Sequence, residues 1–207
     1  NLDVVDIDGA VDMASTLVVG GVVNLSTGSE SSPALFFNSD SDTGIYSGGS
    51  NTVVITAGGS NRFYADASTH LGTLTAGTSN LALGVNAGNS IESGGNYNVL
   101  VGDEAGTAIT TGDYSTFVGY GAGDAINTAD YNTVVGANAL SAETKGNRSV
   151  AVGMNALLAQ NFTSSTDAYN VAVGMSAGAA VTTGIGNTLI GGESGDALTD
   201  ADYNVAV

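Results

Sequence analysis

A five-residue block, Asn/Ser followed by three mostly apolar residues and a glycine, recurs along most of this chain at a nearly constant step. It reads Asn80–Gly84, Asn98–Gly102, Ser115–Gly119, Asn132–Gly136, Ser149–Gly153, Asn170–Gly174 and Asn187–Gly191, and an eighth copy begins at Asn204. The closing glycines are Gly84, Gly102, Gly119, Gly136, Gly153, Gly174 and Gly191, so the steps are 18, 17, 17, 17, 21 and 17 residues. A fixed period of this kind marks a repeat architecture, in which each unit buries its apolar face against the next copy.

Helix formers such as Glu, Lys, Gln and Arg are scarce. Val, Thr, Gly, Asn and Ser dominate, which favours strands and turns. The residue before each glycine is Leu83, Val101, Val118, Val135, Val152, Val173 or Ile190, and the one before that is also always apolar. Neighbouring side chains on a strand point to opposite faces, so this strand is apolar on both. A coil of about 17 residues can cover one of those faces by itself. The other implies neighbouring chains, and hence a strand facing an oligomer axis.

The rest of each coil is consistent with a filled interior. Three residues after the glycine stands Ala in six copies and Ser194 in the seventh. Seven residues after it stands Ile91, Ile109, Ile126, Val181 or Leu198, whereas two copies carry Glu143 and Gln160. In those two the glycine found four residues after the repeat glycine becomes Leu140 and Leu157. The lost apolar contact is thus expected to come from an earlier position in the coil. The leading Asn/Ser is expected to form a polar ladder at a corner, its amides bonding along the stack.

The pattern Asn/Ser-Val-Ala-Val-Gly-Met-Asn/Ser-Ala, clearest at 149–156 and 170–177, resembles the head repeat of trimeric autotransporter adhesins. That resemblance covers about 80–207 and implies a parallel β-roll wound from three chains. The coils here are longer than the usual head repeat, and neither stalk heptads nor a membrane barrel is present. Upstream, Pro33–Phe37, Asp40–Tyr46 and Gly58–Arg62 together resemble a module of tail fibres of tailed bacteriophages. It implies a trimeric fibre segment on a virion.

Three segments follow. Residues 1–30 read as short strands (Val4–Ile7, Thr16–Val19, Val22–Leu25) with too few large side chains for a core of their own. Residues 31–79 hold the small fibre module and a connector, with strands expected at Ala34–Phe37, Gly44–Tyr46, Asn51–Thr56 and Asn61–Tyr64, and turns at Asp40–Gly44 and Gly58-Gly59. A unit this small does not usually fold alone below about 40 residues, so it is expected to pair with copies of itself. Residues 80–207 form the roll, seven coils and the start of an eighth. The fold class is therefore all-β: a homotrimeric fibre with an N-terminal short-strand region and a C-terminal parallel β-roll or β-solenoid. A start at Asn1 rather than Met and an end inside a repeat suggest a piece of a longer polypeptide.

Charge narrows the partners. There are 3 Lys+Arg against 20 Asp+Glu, a net charge of -17, so nucleic acid and anionic membranes are disfavoured. The longest apolar runs are a handful of residues, too short to cross a bilayer. Cysteine is absent and His70 is the one histidine, which excludes a thiolate or multi-imidazole metal site. Asn38–Asp42 opens like a calcium loop, but Thr43 and Gly49 stand where such a loop needs Gly and Glu. Asp103 and Glu104 are the one carboxylate pair to weigh for glycan hydrolysis, and no matching pair recurs along the repeat. Tyr97, Tyr114, Tyr131, Tyr169 and Tyr203 precede the leading Asn/Ser, with Arg148 in one of the same slots. Self-stacking at a corner is expected there, with Arg148 against Tyr131 or Tyr169.

The long coil carries an inserted loop, Gln160–Asp167, and insertions in solenoids are frequent partner sites. Gln160, Asn161, Phe162 and Asp167 are accordingly the candidate contact residues. The expected function is a non-catalytic structural or adhesive segment of a trimeric phage tail fibre, located on the virion. No cofactor is expected. Its partners would be itself, other virion proteins and a host-surface glycan or protein. The alternatives are the head of a bacterial trimeric adhesin or another extracellular filament, and, less consistent with the residues, a tailspike glycan hydrolase.

Overall fold

The computed structural model describes residues 24–37, 39–49, 52–65, 71–72 and 76–207. The strands read at Val4–Ile7 and Thr16–Val19, the Gly20-Gly21 step and His70 lie outside these residues, and the described part of Val22–Leu25 is irregular. All regular structure among the described residues is β.

The N-terminal module is an antiparallel meander of five strands in sequence order: β1 (Leu35–Phe37), β2 (Asp40–Gly49), β3 (Thr52–Ala57), β4 (Ser60–Ala65) and β5 (Leu71–Gly72). Gly58 and Gly59 close the β3–β4 hairpin with φ of 60° and 63°, the left-handed pair that a two-residue turn requires. The turn expected at Asp40–Gly44 is not one. Those residues begin the long β2, and the chain reverses between Phe37 and Asp40, which are register partners. Gly44 explains the difference: a Cβ there would collide with the Leu35 carbonyl, so the glycine serves close strand approach instead of reversal. Leu35, Ile45 and Ile55 are cross-strand neighbours in one row, and all three are exposed, as is Val53 beside them.

From residue 80 onward the chain is a solenoid. Its sheet has eight parallel strands, each laid directly on the next: β6 (Leu81–Leu83), β7 (Val99–Val101), β8 (Thr116–Val118), β9 (Thr133–Val135), β11 (Val150–Val152), β13 (Val171–Val173), β14 (Thr188–Ile190) and β15 (Val205–Ala206). The short β10 (Gly146–Asn147) and β12 (Thr166–Asp167) pair in parallel beside it. Registers match like positions: Ala151 faces Val134 on one side and Ala172 on the other. Turns complete each coil, and their backbone N–H groups also bond to the next or the preceding coil, as in Glu92 to the Thr110 carbonyl at 2.9 Å.

The middle residue of each strand points inward. Leu100, Phe117, Val134, Ala151, Ala172 and Leu189 are fully buried, packed with Ile109, Ile126, Val181 and the recurrent alanines Ala105, Ala122, Ala139, Ala156 and Ala177. Leu140 and Leu157 are also fully buried, as the compensation argument required. They occupy a slot that is left-handed in every coil, with φ of 51° and 50° where other coils have Gly88, Gly106, Gly123, Gly178 and Gly195. Two leucines hold a conformation that costs an L-residue roughly 1 kcal/mol because the core beside Ala151 and Ala172 needs their bulk.

The repeat glycines answer a different demand. Gly84 to Gly191 have φ between 124° and 143°, a region closed to side chains. A Cβ on Gly136 would lie 2.5 Å from the Gly153 carbonyl oxygen of the next coil. Outward of the strands the residue before each glycine is half-exposed, with Val135 and Val173 at 36%, Ile190 at 42% and Leu83 at 47%. The solenoid therefore fills one strand face from within and leaves the other as a continuous apolar row.

Candidate functional site

Two side-chain ladders flank the core, and they run in opposite senses. The leading residues Asn98, Ser115, Asn132, Ser149, Asn170 and Asn187 are buried. Their side-chain oxygens accept from the backbone N–H of the following coil, as in Asn98 N–H to Asn80 Oδ1 at 2.8 Å and Asn187 N–H to Asn170 Oδ1 at 2.8 Å, except at Ser149, whose Oγ accepts from Gln160 Nε2 at 3.1 Å. Each of the asparagines also donates its amide within its own coil, for example Asn132 Nδ2 to the Gly146 carbonyl at 2.9 Å. Two residues earlier a second ladder reverses the direction. Here the N–H of one coil donates to a carboxylate or amide of the following one: Asn96 to Asp113 at 2.6 Å, Asp113 to Asp130 at 2.7 Å, Asp130 to Asn147 at 2.9 Å. The first ladder was expected, and the second went unread because its residues vary between Asn, Asp, Ala and Ile.

Between the ladders lies the tyrosine column. Tyr97 stacks on Tyr114 with centroids 4.9 Å apart, and Tyr114 on Tyr131 at 5.2 Å. These spacings match the rise between parallel strands of about 4.8 Å. The slot is left-handed throughout, with φ of 50–62° from Tyr97 to Tyr169. Stacking displaces water from Tyr114 and pushes its phenol pKa up, with the neighbouring rings adding to the effect. Arg148 continues the column as expected, its guanidinium 4.7 Å from the Tyr131 centroid and 5.9 Å from that of Tyr169. Its Nε pairs with Asp167 at 3.1 Å, which raises its pKa. From Tyr97 to Tyr131 the facing ring surfaces are thus occupied by one another, and Arg148 fills the slot between Tyr131 and Tyr169.

At the insertion the candidate contact residues separate into two pairs. Gln160 is fully buried and Phe162 is 7% exposed, so neither belongs to a contact surface of the chain. Asn161 and Asp167 are exposed. The inward pair is explained by hydrogen bonding. The longer coil breaks the regular rung-to-rung pattern, and the Glu143 carboxylate takes over as acceptor. Its Oε1 receives the N–H groups of Thr144 (2.8 Å), Lys145 (2.9 Å), Gly146 (2.7 Å) and Phe162 (3.1 Å). Its Oε2 receives Gln160 Nε2 at 2.9 Å, and Gln160 Oε1 receives Asn170 Nδ2 at 2.8 Å. Glu143 and Gln160 are the polar replacements at the otherwise apolar slot, and the insertion is the reason for them.

The remaining constellations stay apart. Asp103 and Glu104 sit in the turn after Gly102, with Glu104 in the left-handed conformation. The charge of Glu104 acts instead on Asp124 of the next coil. Partial burial, the larger cause, and then that charge push the Asp124 carboxyl up from its usual value, and its Oδ1 is buried with no hydrogen-bond partner. On β2, Asp40 is lowered and Asp42 raised because the two carboxyls share a hydrogen bond. Among the described residues no group of three or more His, Cys, Asp or Glu side chains is placed to hold a metal ion. None of the described residues forms a helix long and apolar enough to cross a membrane.

Compared with known family models, with curated proteins and with solved structures, the chain matches none.

Proposed function

We propose that the chain is a non-catalytic structural and adhesive segment of a trimeric tail fibre, or a comparable appendage, of a tailed phage. The observation that carries this reading is the outward row Leu83, Val101, Val118, Val135, Val152, Val173 and Ile190, one apolar side chain per coil and each only partly covered. Covering the open part of such a side chain contributes on the order of 1 kcal/mol per rung. Seven rungs then give roughly 7 kcal/mol per chain, within the range needed to offset the lost freedom of association. The exposed Leu35–Ile45–Ile55 row of the N-terminal sheet supports the same kind of self-association. A net charge of -17 keeps assembled fibres apart and steers them away from nucleic acid. The absence of a recurring acid pair favours a scaffold over a hydrolase.

Mass measurement in solution, with antibody labelling of particles under the electron microscope, tests the proposal. Three chains per particle and label on virion tails are expected. A stable monomer sinks the trimer, and label on bacterial surfaces instead of virions selects the adhesin reading.

A further inference from the structure

A shallow groove of about 600 Å³ crosses three consecutive coils, lined by Ala125 and Asn127, Thr144 and Lys145, Asn161 and Thr163. The side-chain oxygens of its asparagines are already used. Thr110 Oγ1 donates to Asn127 Oδ1 at 3.1 Å, and Thr144 Oγ1 to Asn161 Oδ1 at 3.0 Å. What remains is a row of donors. The Nδ2 groups of Asn127 and Asn161 and the Nζ of Lys145 bond to nothing among the described residues. Three rungs place the two amides roughly 10 Å apart, with Lys145 on the coil between them.

We infer that this groove binds a short oligosaccharide bearing a carboxylate, a uronic or sialic acid type, with Lys145 on the carboxylate and Asn127 and Asn161 donating to hydroxyl or ring oxygens. The groove is open, with a carbon-rich wall tipped by polar groups, which suits a sugar that lays an apolar ring face on the wall and its oxygens on the donors. Lys145 is one of only 3 basic residues in a chain of net charge -17, so an isolated carboxylate is matched and a polyanion is repelled. A peptide strand finds no edge here, because the rung N–H groups of Asn127 and Asn161 already donate to Thr144 and Thr182. The groove lies within one chain, so the inference stands or falls separately from the trimer.

Titration calorimetry of the whole chain with a sialylated oligosaccharide bearing one carboxylate tests it at low salt, with its methyl ester, an aldobiouronic acid and poly-glutamate as comparisons. Lys145→Gln and Asn161→Asp are the variants; the second keeps the acceptor for Thr144 and removes the donor. Circular dichroism establishes that both fold. Binding of the sialylated oligosaccharide or the aldobiouronic acid is expected. Lys145→Gln should weaken it about tenfold, the loss of one hydrogen bond to a charged group, and Asn161→Asp by a similar factor, the loss of a neutral hydrogen bond together with repulsion of the ligand carboxylate; the ester should bind as poorly as Lys145→Gln. Silence from both acidic oligosaccharides, or binding by both variants undiminished from that of the unsubstituted chain, overturns the inference. Poly-glutamate binding as tightly as the oligosaccharide overturns its glycan part.

Discussion

Gln160 donates its side-chain amide to the Glu143 carboxylate at 2.9 Å, and both residues are fully excluded from solvent. A buried carboxylate is tolerable only when its lone pairs are met, and Glu143 meets five donors. Glu143→Ala leaves those donors unsatisfied, each worth about 1–3 kcal/mol. A stability loss of about 4 kcal/mol is expected after partial relaxation, with a smaller loss for Glu143→Gln, which keeps an acceptor oxygen. The midpoint of chemical denaturation measures both.

Val173 and Ala172 are adjacent and face opposite ways. Val173 is outward and 36% exposed, whereas Ala172 is fully buried. Val173→Asp should leave the chain folded and dissociate the proposed trimer. Ala172→Asp should unfold it, since an unpaired carboxylate enters a dry core. Circular dichroism with solution mass separates the two, and an assembled Val173→Asp variant would remove the outward row from the interface.

Gly136 carries a backbone angle of 137° and stands under the Gly153 carbonyl. Gly136→Ala combines a forbidden conformation with a clash against backbone that cannot move alone. It should destabilise by about 3 kcal/mol or more, read as a fall in melting temperature. The same change at Gly192, a glycine without positive φ and with no neighbour nearer than 3.9 Å, should be tolerated.

Asp124 is destabilising when ionised, because burial raises its carboxyl pKa above the unfolded 3.8. The folded chain then binds the proton more tightly than the unfolded one. The contribution is fully present below pH 3.8 and is lost as pH rises through the folded pKa. Asp124→Asn should therefore stabilise at pH 7 by under about 1 kcal/mol, the group being partly solvated, and change little at pH 3. Thermal melts at the two pH values check the sign.

The coil period, the inward and outward strand faces, the buried Asn/Ser corner and the Leu140/Leu157 exchange were all legible in the sequence. Each is a repeated response to one packing demand, so seven copies average out the exceptions. Arg148 between Tyr131 and Tyr169 was legible for the same reason. The insertion was legible as extra length but not in its bonding, because it occurs once. Gln160 and Phe162 read as contact residues because they lie in the inserted loop, and only the displaced N–H groups at 144–146 reveal why Glu143 and Gln160 turn inward. Asp40–Gly44 misled in the opposite way. Its residues are turn formers, yet pairing with β1 across Gly44 overrides that local preference.

Matching contacts between successive rungs also make the chain a ruler. Excising one regular period, such as residues 103–119, brings together two faces that already fit their lost partners, so the length of the solenoid can change by whole coils without new side chains. The link from Glu143 through Gln160 to Asn170 forbids this locally, since it ties three coils into one heritable block. Length variants of this solenoid should therefore differ outside that block and retain it whole.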